Sequence, residues 1–247
     1  MSQNKSSKFG PTLFLVAVLF CLSFLNNHRA HAFSLSKVNT ITRATMTAPL
    51  RAEAATSESE KPKKQKAQPE PMVLDVSKLD IRVGLIEKCW EHEEADKLYC
   101  EEINLGEEGG PRQIASGLKA HYSVDEMVGK KVLVLANLKS RKLVGFPSHG
   151  MVLCACKYGE AEDGSEDTVE FVCPPEGAEI GDRVVCEGYE GEPATENQVI
   201  KKKILNAVFP DLKVDSEGVA VYKGVQLKTA TGGETCKASS LTDVPIS

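Results

Sequence analysis

Met127 to Gly159 reads MVGKKVLVLANLKSRKLVGFPSHGMVLCACKYG. The stretch holds Lys130, Lys131, Lys139, Arg141, Lys142 and Lys157 and no aspartate or glutamate, in a chain of formal net charge -5. Two apolar runs inside it, Val132–Ala136 and Met151–Ala155, have the length and β-branched content of buried strands. Between them, Asn137 to Gly150 is a basic connection punctuated by glycine and proline. A strand–loop–strand unit cleared of carboxylates sets up a local positive field. A polyphosphate backbone is the commonest partner of such a field and a solvated surface connection is the plain alternative; charge by itself does not separate them.

Outward from this unit, the pattern is a series of short strands. Val83–Glu87 and Leu98–Leu105 read as strands joined by the polar turn Glu91–Asp96. Gly106–Pro111 is a turn, and Gln113–Ala115 resumes a strand. Ser123 with Glu126 three residues on predicts one capped helical turn. After the basic unit come an acidic hairpin region, Glu160–Val172, and a further turn and strand in Gly177–Cys186. Short strands with few helices predict a small barrel. Thr195-Glu-Asn-Gln198 is a capping box. Val199, Ile200, Ile204, Leu205, Val208 and Phe209 recur at helical spacing, so one helix is predicted over Thr195–Phe209, ended by Pro210. Val219–Tyr222 and Val225–Leu227, joined through Lys223-Gly224, read as a hairpin. This tail is too small to stand alone, so its apolar face must dock on the barrel.

The first part of the chain has another character. Lys5 and Lys8 precede a short apolar run, Leu13–Leu25, and Ala30-His31-Ala32 follows. That order is a secretory signal peptide, the run being too short to span a bilayer comfortably. Phe33 to Arg51 is rich in serine and threonine, carries Lys37, Arg43 and Arg51, and has no acid, the composition of a transit peptide. A signal peptide, an Ala32-Phe33 junction and a transit-like stretch together resemble the bipartite presequences of algae with complex plastids. Glu53–Pro71 has no large apolar residue and reads as a disordered linker. About 175 residues then remain for folding, enough for one sizeable core or two small ones. Beyond Cys21 lie Cys89, Cys100, Cys154, Cys156, Cys173, Cys186 and Cys236, most of them within apolar runs, which predicts buried free thiols and a reducing destination. No cysteine or histidine spacing fits a metal site. Ser148 next to His149 lacks the G-x-S-x-G elbow and an acid partner that a nucleophile needs.

The ordered motifs carry a resemblance. Leu79-Asp-Ile-Arg-Val-Gly84 is similar to the opening strand of the tRNA-binding oligonucleotide-binding (OB) fold found in methionyl-tRNA synthetases and endothelial monocyte-activating polypeptide II. Ala95-Asp-Lys-Leu-Tyr99, Ser116-Gly-Leu118, Asn137-Leu-Lys139, Gly145 and Ser148-x-x-Met151 follow in order, then Gly191-Glu-Pro193, Lys201-Lys-Lys203 and Tyr222-Lys-Gly224. The second turn departs from the family, with Glu93 where a proline usually follows the histidine. The resemblance implies an all-β fold, a five-stranded OB barrel with a C-terminal helix-plus-hairpin extension. It implies a free-standing, non-enzymatic, largely sequence-independent tRNA-binding protein, without cofactor or metal, that serves an aminoacyl-tRNA synthetase in trans, methionyl first. A secreted cytokine-like polypeptide of the same fold is the alternative. Arg82, Asn137, Lys139, Arg141, Lys142, Ser148 and Met151 are the implied tRNA contacts, with Met151 also a core candidate. Lys130, Lys131, Lys201, Lys202 and Lys203 are candidate further contacts. Only Phe146 and Tyr158 offer rings there, which favours shape and phosphate recognition over base stacking.

The expected organisation is 1–32 signal peptide, 33–52 transit-like segment, 53–72 linker, 73–180 barrel and 181–247 extension. The expected location is the plastid stroma, with secretion as the alternative. The mature form is expected to be a monomer off the membrane, paired with its own tail.

Overall fold

The structure, a computed structural model, describes residues 73–159 and 167–247. The expected signal peptide, transit-like segment and linker and part of the expected acidic hairpin region lie outside the described residues. The strands in chain order are β1 (Ile81–Glu91), β2 (Tyr99–Asn104), β3 (Arg112–Ser116), β4 (Lys131–Leu135), β5 (Arg141–Leu143), β6 (Phe146–Ser148), β7 (Met151–Val152), β8 (Cys154–Lys157), β9 (Thr168–Phe171), β10 (Val184–Cys186), β11 (Leu212–Val214), β12 (Ala220–Tyr222) and β13 (Val225–Thr229). The first sheet has the order β3-β2-β1-β4-β7, with antiparallel pairing throughout. β1 is long enough to pair with β4 through Ile81–Leu85 and with β2 through Leu85–Glu91, with a bulge between Ile86 and Lys88. A bulge adds local twist, which lets one strand serve both sides of a barrel. Gly84 faces inward where a Cβ would stand 2.7 Å from Ile103 and 2.8 Å from Leu105. The barrel nearly closes where the His149 N–H donates to the Gln113 carbonyl (2.9 Å) and the Ala115 N–H donates to Ser148 Oγ (3.1 Å).

Val132, Val134 and Ala136 belong to the barrel core with Ile86, Ile103, Ile114 and Met127. Met127 closes the helical turn α1 (Val124–Met127), whose start is capped as the sequence predicts: Ser123 N–H and Oγ both donate to the Glu126 carboxylate at 2.8 Å. Leu133 and Leu135 alternate with these core residues yet are equally buried at 0%. β4 is therefore covered on both faces.

The extension forms its own sheet, β10-β13-β12-β11. The Thr195 capping box is present, with Thr195 N–H and Oγ donating to Gln198 Oε1 at 2.9 and 3.1 Å. The single helix expected over Thr195–Phe209 is two, α2 (Glu196–Lys201) and α3 (Ile204–Val208). Lys203 adopts φ 53, a left-handed conformation that ends α2. The break re-aims the apolar residues: Val199, Ile204, Leu205 and Val208 are buried, while Ile200 is 40% exposed. The tail then lies along the barrel. Cys154 and Ser247 exchange backbone hydrogen bonds of 2.9 Å each way, and the Cys156 N–H donates to the Pro245 carbonyl (3.0 Å). These residues fill the open edge of β8, whose other edge holds β9. The seven cysteines from Cys89 to Cys236 are free, all but the half-buried Cys173 being buried. Burial pushes the Cys89 and Cys236 thiols up to about 12 and Cys186 to about 11, so none of the three offers a thiolate at neutral pH.

Candidate nucleic-acid interface

The basic connection Asn137–Gly150 is a hairpin rather than a loop. Arg141 pairs with Ser148, Lys142 with Pro147 and Leu143 with Phe146. Val144 (φ 47) and Gly145 (φ 89) make the turn. Two consecutive positive φ angles match the twist of a two-residue hairpin, and valine is an unusual residue to supply the first. A β-branched side chain held there stores strain of about 1 kcal/mol. That is why turn chemistry read from the sequence missed it.

The hairpin is held rigidly at its base. Arg112 Nη1 donates to the carbonyls of Ala136 (2.6 Å) and His149 (3.0 Å), and its other nitrogens form a two-point ion pair with Glu107 (2.7 and 2.6 Å). Arg112 pulls the Glu107 carboxyl below its ordinary range. This guanidinium ties the two ends of the hairpin to β3. Nothing in its sequence neighbourhood marks it, because its partners are backbone carbonyls distant along the chain.

The expected contacts divide into two groups. Asn137 is buried and fully engaged within the chain: its Oδ1 accepts from the Asp80 N–H (3.0 Å), and its Nδ2 donates to the Lys78 and Ala194 carbonyls (2.9 Å each). Ser148 is buried and closes the barrel, its Oγ accepting from Ala115 and donating to the Gly150 carbonyl (3.2 Å). Arg82 holds both oxygens of Asp80 through Nε at 3.0 and 3.1 Å. Asn137 and Ser148 hold the hairpin from beneath, while the Arg82 side chain stays 35% exposed. Lys139 and Lys142 are exposed, Arg141 is half-buried, and Met151, beside core residue Val152, is half-buried opposite Leu135. Neither Lys139 nor Lys142 enters an ion pair among the described residues.

The remaining lysines are elsewhere or at the margin. Lys131 Nζ donates to the Glu176 (3.0 Å) and Ala178 (2.7 Å) carbonyls, and Lys130 Nζ stands 5.8 Å from the Tyr122 ring centre. Both precede the end of β4 that leads into the hairpin by a strand length of about 13 Å. Lys201, Lys202 and Lys203 are exposed on the extension. Their helix starts beside the hairpin, since Ala194 bonds Asn137 and Glu196 lines one cleft with Leu138 and His149. The ring content expected from sequence was too low. Trp90, near the end of β1, and His92, just past it, meet Phe146 edge-on at 5.8 and 6.4 Å. Among the described residues, no group of histidines, cysteines and carboxylates is arranged to hold a metal, and no helix is long and apolar enough to cross a membrane.

Residues 81–183 match the tRNA binding domain family. The C-terminal domain of Plasmodium vivax p43 is 35% identical, with a TM-score of 0.61 over 71% of this chain and 100% of that one. The chain is also similar to the aminoacyl tRNA synthase complex-interacting multifunctional protein 1 of Cricetulus griseus, 39% identical over 70% of this chain and 45% of that protein. It is 45% identical to the probable methionine–tRNA ligase of Oryza sativa subsp. japonica over 68% of this chain and 20% of that protein. The chain thus spans half or less of these two relatives.

Proposed function

Since this chain belongs to the tRNA-binding domain family, in which the fold is a binding module and not a catalytic one, we propose that it is a structure-specific, largely sequence-independent tRNA-binding protein. It delivers tRNA to an aminoacyl-tRNA synthetase in trans, methionyl-tRNA synthetase first. The observation that carries the reading is Lys139 and Lys142, exposed and without carboxylate partners on a hairpin anchored by Arg112, Asn137 and Ser148. A rigid cationic ridge neutralises phosphates without reading bases. The relatives support the synthetase partner: a methionine–tRNA ligase contains the domain, and so does a protein named for interacting with the synthetase complex.

Affinity for tRNA should fall steeply with salt as counterions are released. The Lys139→Ala/Arg141→Ala/Lys142→Ala variant should bind weakly, with a log–log salt slope shallower by about one for each phosphate it no longer neutralises. An unchanged slope would move the site elsewhere. Repeated with methionyl-tRNA synthetase present, the wild-type titration should tighten; no change would remove the cofactor role and leave tRNA binding in place.

The presequence supports a plastid location. A fluorescent fusion of residues 1–71 should enter the plastid stroma of an alga with a complex plastid, and Phe33→Ala should stall it outside. Appearance of the unmodified fusion in the medium would replace this with the secreted reading.

A further inference from the structure

Trp90 is the single tryptophan of the chain. It lies near the end of β1, across from Cys100 on β2, and is 37% exposed. Its ring meets Phe146 edge-on, at 82° between planes, and His92 meets the same Phe146 at 82°. The one parallel stack among the described residues is Tyr122 on Phe171. None of the three rings at the hairpin therefore has a stacked partner. His92 Nδ1 accepts from the Glu94 N–H (3.1 Å). Glu91, the carboxylate next to Trp90, is paired with Lys119 (2.5 Å).

Phe146 belongs to the cationic hairpin. It pairs with Leu143, and the next pair along is Lys142 with Pro147. The same short hairpin thus contacts the ring cluster on one side and presents its unpaired lysines on the other. OB folds bind oligonucleotides between the turn after the first strand and the turn before the last, which are the two elements that meet here.

We infer that Trp90, with Phe146 and His92, stacks an unpaired base of an RNA strand whose phosphates run on across the same hairpin to Lys139 and Lys142. The inference rests on the tRNA-binding reading and adds a requirement for a single-stranded base to it. Every base has a π-face, so stacking adds affinity without sequence choice. An apolar protein side chain could also cover the rings. The carboxylate-free stretch 127–159 that supplies Phe146 matches phosphates better.

The sole tryptophan makes the test direct. Titration of the full chain with a short oligouridylate, and with tRNA, should quench its emission; a blunt RNA duplex of equal charge should not. Trp90→Ala should weaken oligouridylate binding about tenfold, Trp90→Phe should keep most of it, and the salt slope should stay unchanged in both. Emission unmoved at saturating oligouridylate, equal quenching by duplex, or wild-type affinity in Trp90→Ala would overturn the inference. Emission responding to an apolar peptide and not to RNA would overturn it in favour of a protein partner. If labelled RNA of every kind fails to bind by anisotropy, the tRNA reading itself has failed, which is a distinct result.

Discussion

Truncation before Gly191 should turn a monomer into dimers or aggregates and weaken tRNA binding with it. Removing 191–247 strips three backbone edges at once. β8 loses the bonds of Cys154 and Cys156 to Ser247 and Pro245, Cys173 loses its two-way pairing with Lys237 (2.8 and 2.9 Å), and β10 loses β13. Unpaired strand edges recruit other chains. Asn137 also loses Ala194, so one Nδ2 hydrogen beneath the hairpin is left without its acceptor, at about 1–3 kcal/mol if it stays buried. We propose accordingly that the intact chain is monomeric, its tail occupying surface a second copy would otherwise take. Light scattering and tRNA titration of the truncated chain check this; a stable monomer with wild-type affinity would show that the tail has no such role.

Glu101→Gln should stabilise the protein at pH 8 and do far less at pH 4. Glu101 sits on β2 between Tyr99 and Ile103, faces the core with them, and is 0% exposed. Its Oε1 accepts from Ser116 Oγ, while Oε2 has no hydrogen-bond partner. Burial, partly offset by the Ser116 bond, raises its pKa from 4.5 to about 7. Here the folded state holds the proton more tightly than the unfolded one. Below pH 4.5 both states are protonated and nothing is lost. Between 4.5 and about 7 the unfolded chain ionises first, and stability falls by about 1.4 kcal/mol per pH unit, about 3 kcal/mol in all. Glutamine keeps an acceptor for Ser116 and cannot ionise. Urea unfolding at both pH values should therefore show a gap between variant and wild type that is about 3 kcal/mol wider at pH 8. Glu107, Glu126 and Glu170, lowered by their own partners, have stabilities that move the opposite way but equally in both proteins. A gap that does not change with pH would mean Glu101 stays ionised, or stays wet, in the folded chain.

What the sequence determined by itself was local or cumulative. The capping boxes at Ser123 and Thr195 need only residues three apart, and both form. The strand runs Val132–Ala136 and Val83–Glu87 announce themselves by composition, and the ordered motifs carried the family. Lys139 and Lys142 were legible because an absence of carboxylates is visible along the chain. The roles of Asn137 and Ser148 were not, since an amide or hydroxyl reads alike whether it faces RNA or bonds Ala194 or Ala115 inside the fold. Tertiary structure also decided the hairpin, where pairing holds Val144 in a conformation its side chain resists, and the break at Lys203, which sends Ile204, Leu205 and Val208 inward. It brought Trp90 to Phe146 and left Lys130 and Lys131 at the opposite end of β4. It buried Glu101, which by charge alone belongs in water. Each of these depends on strands paired across long stretches of chain. Barrel closure fixes such pairings through register and twist, and neither is a property of any short stretch of sequence.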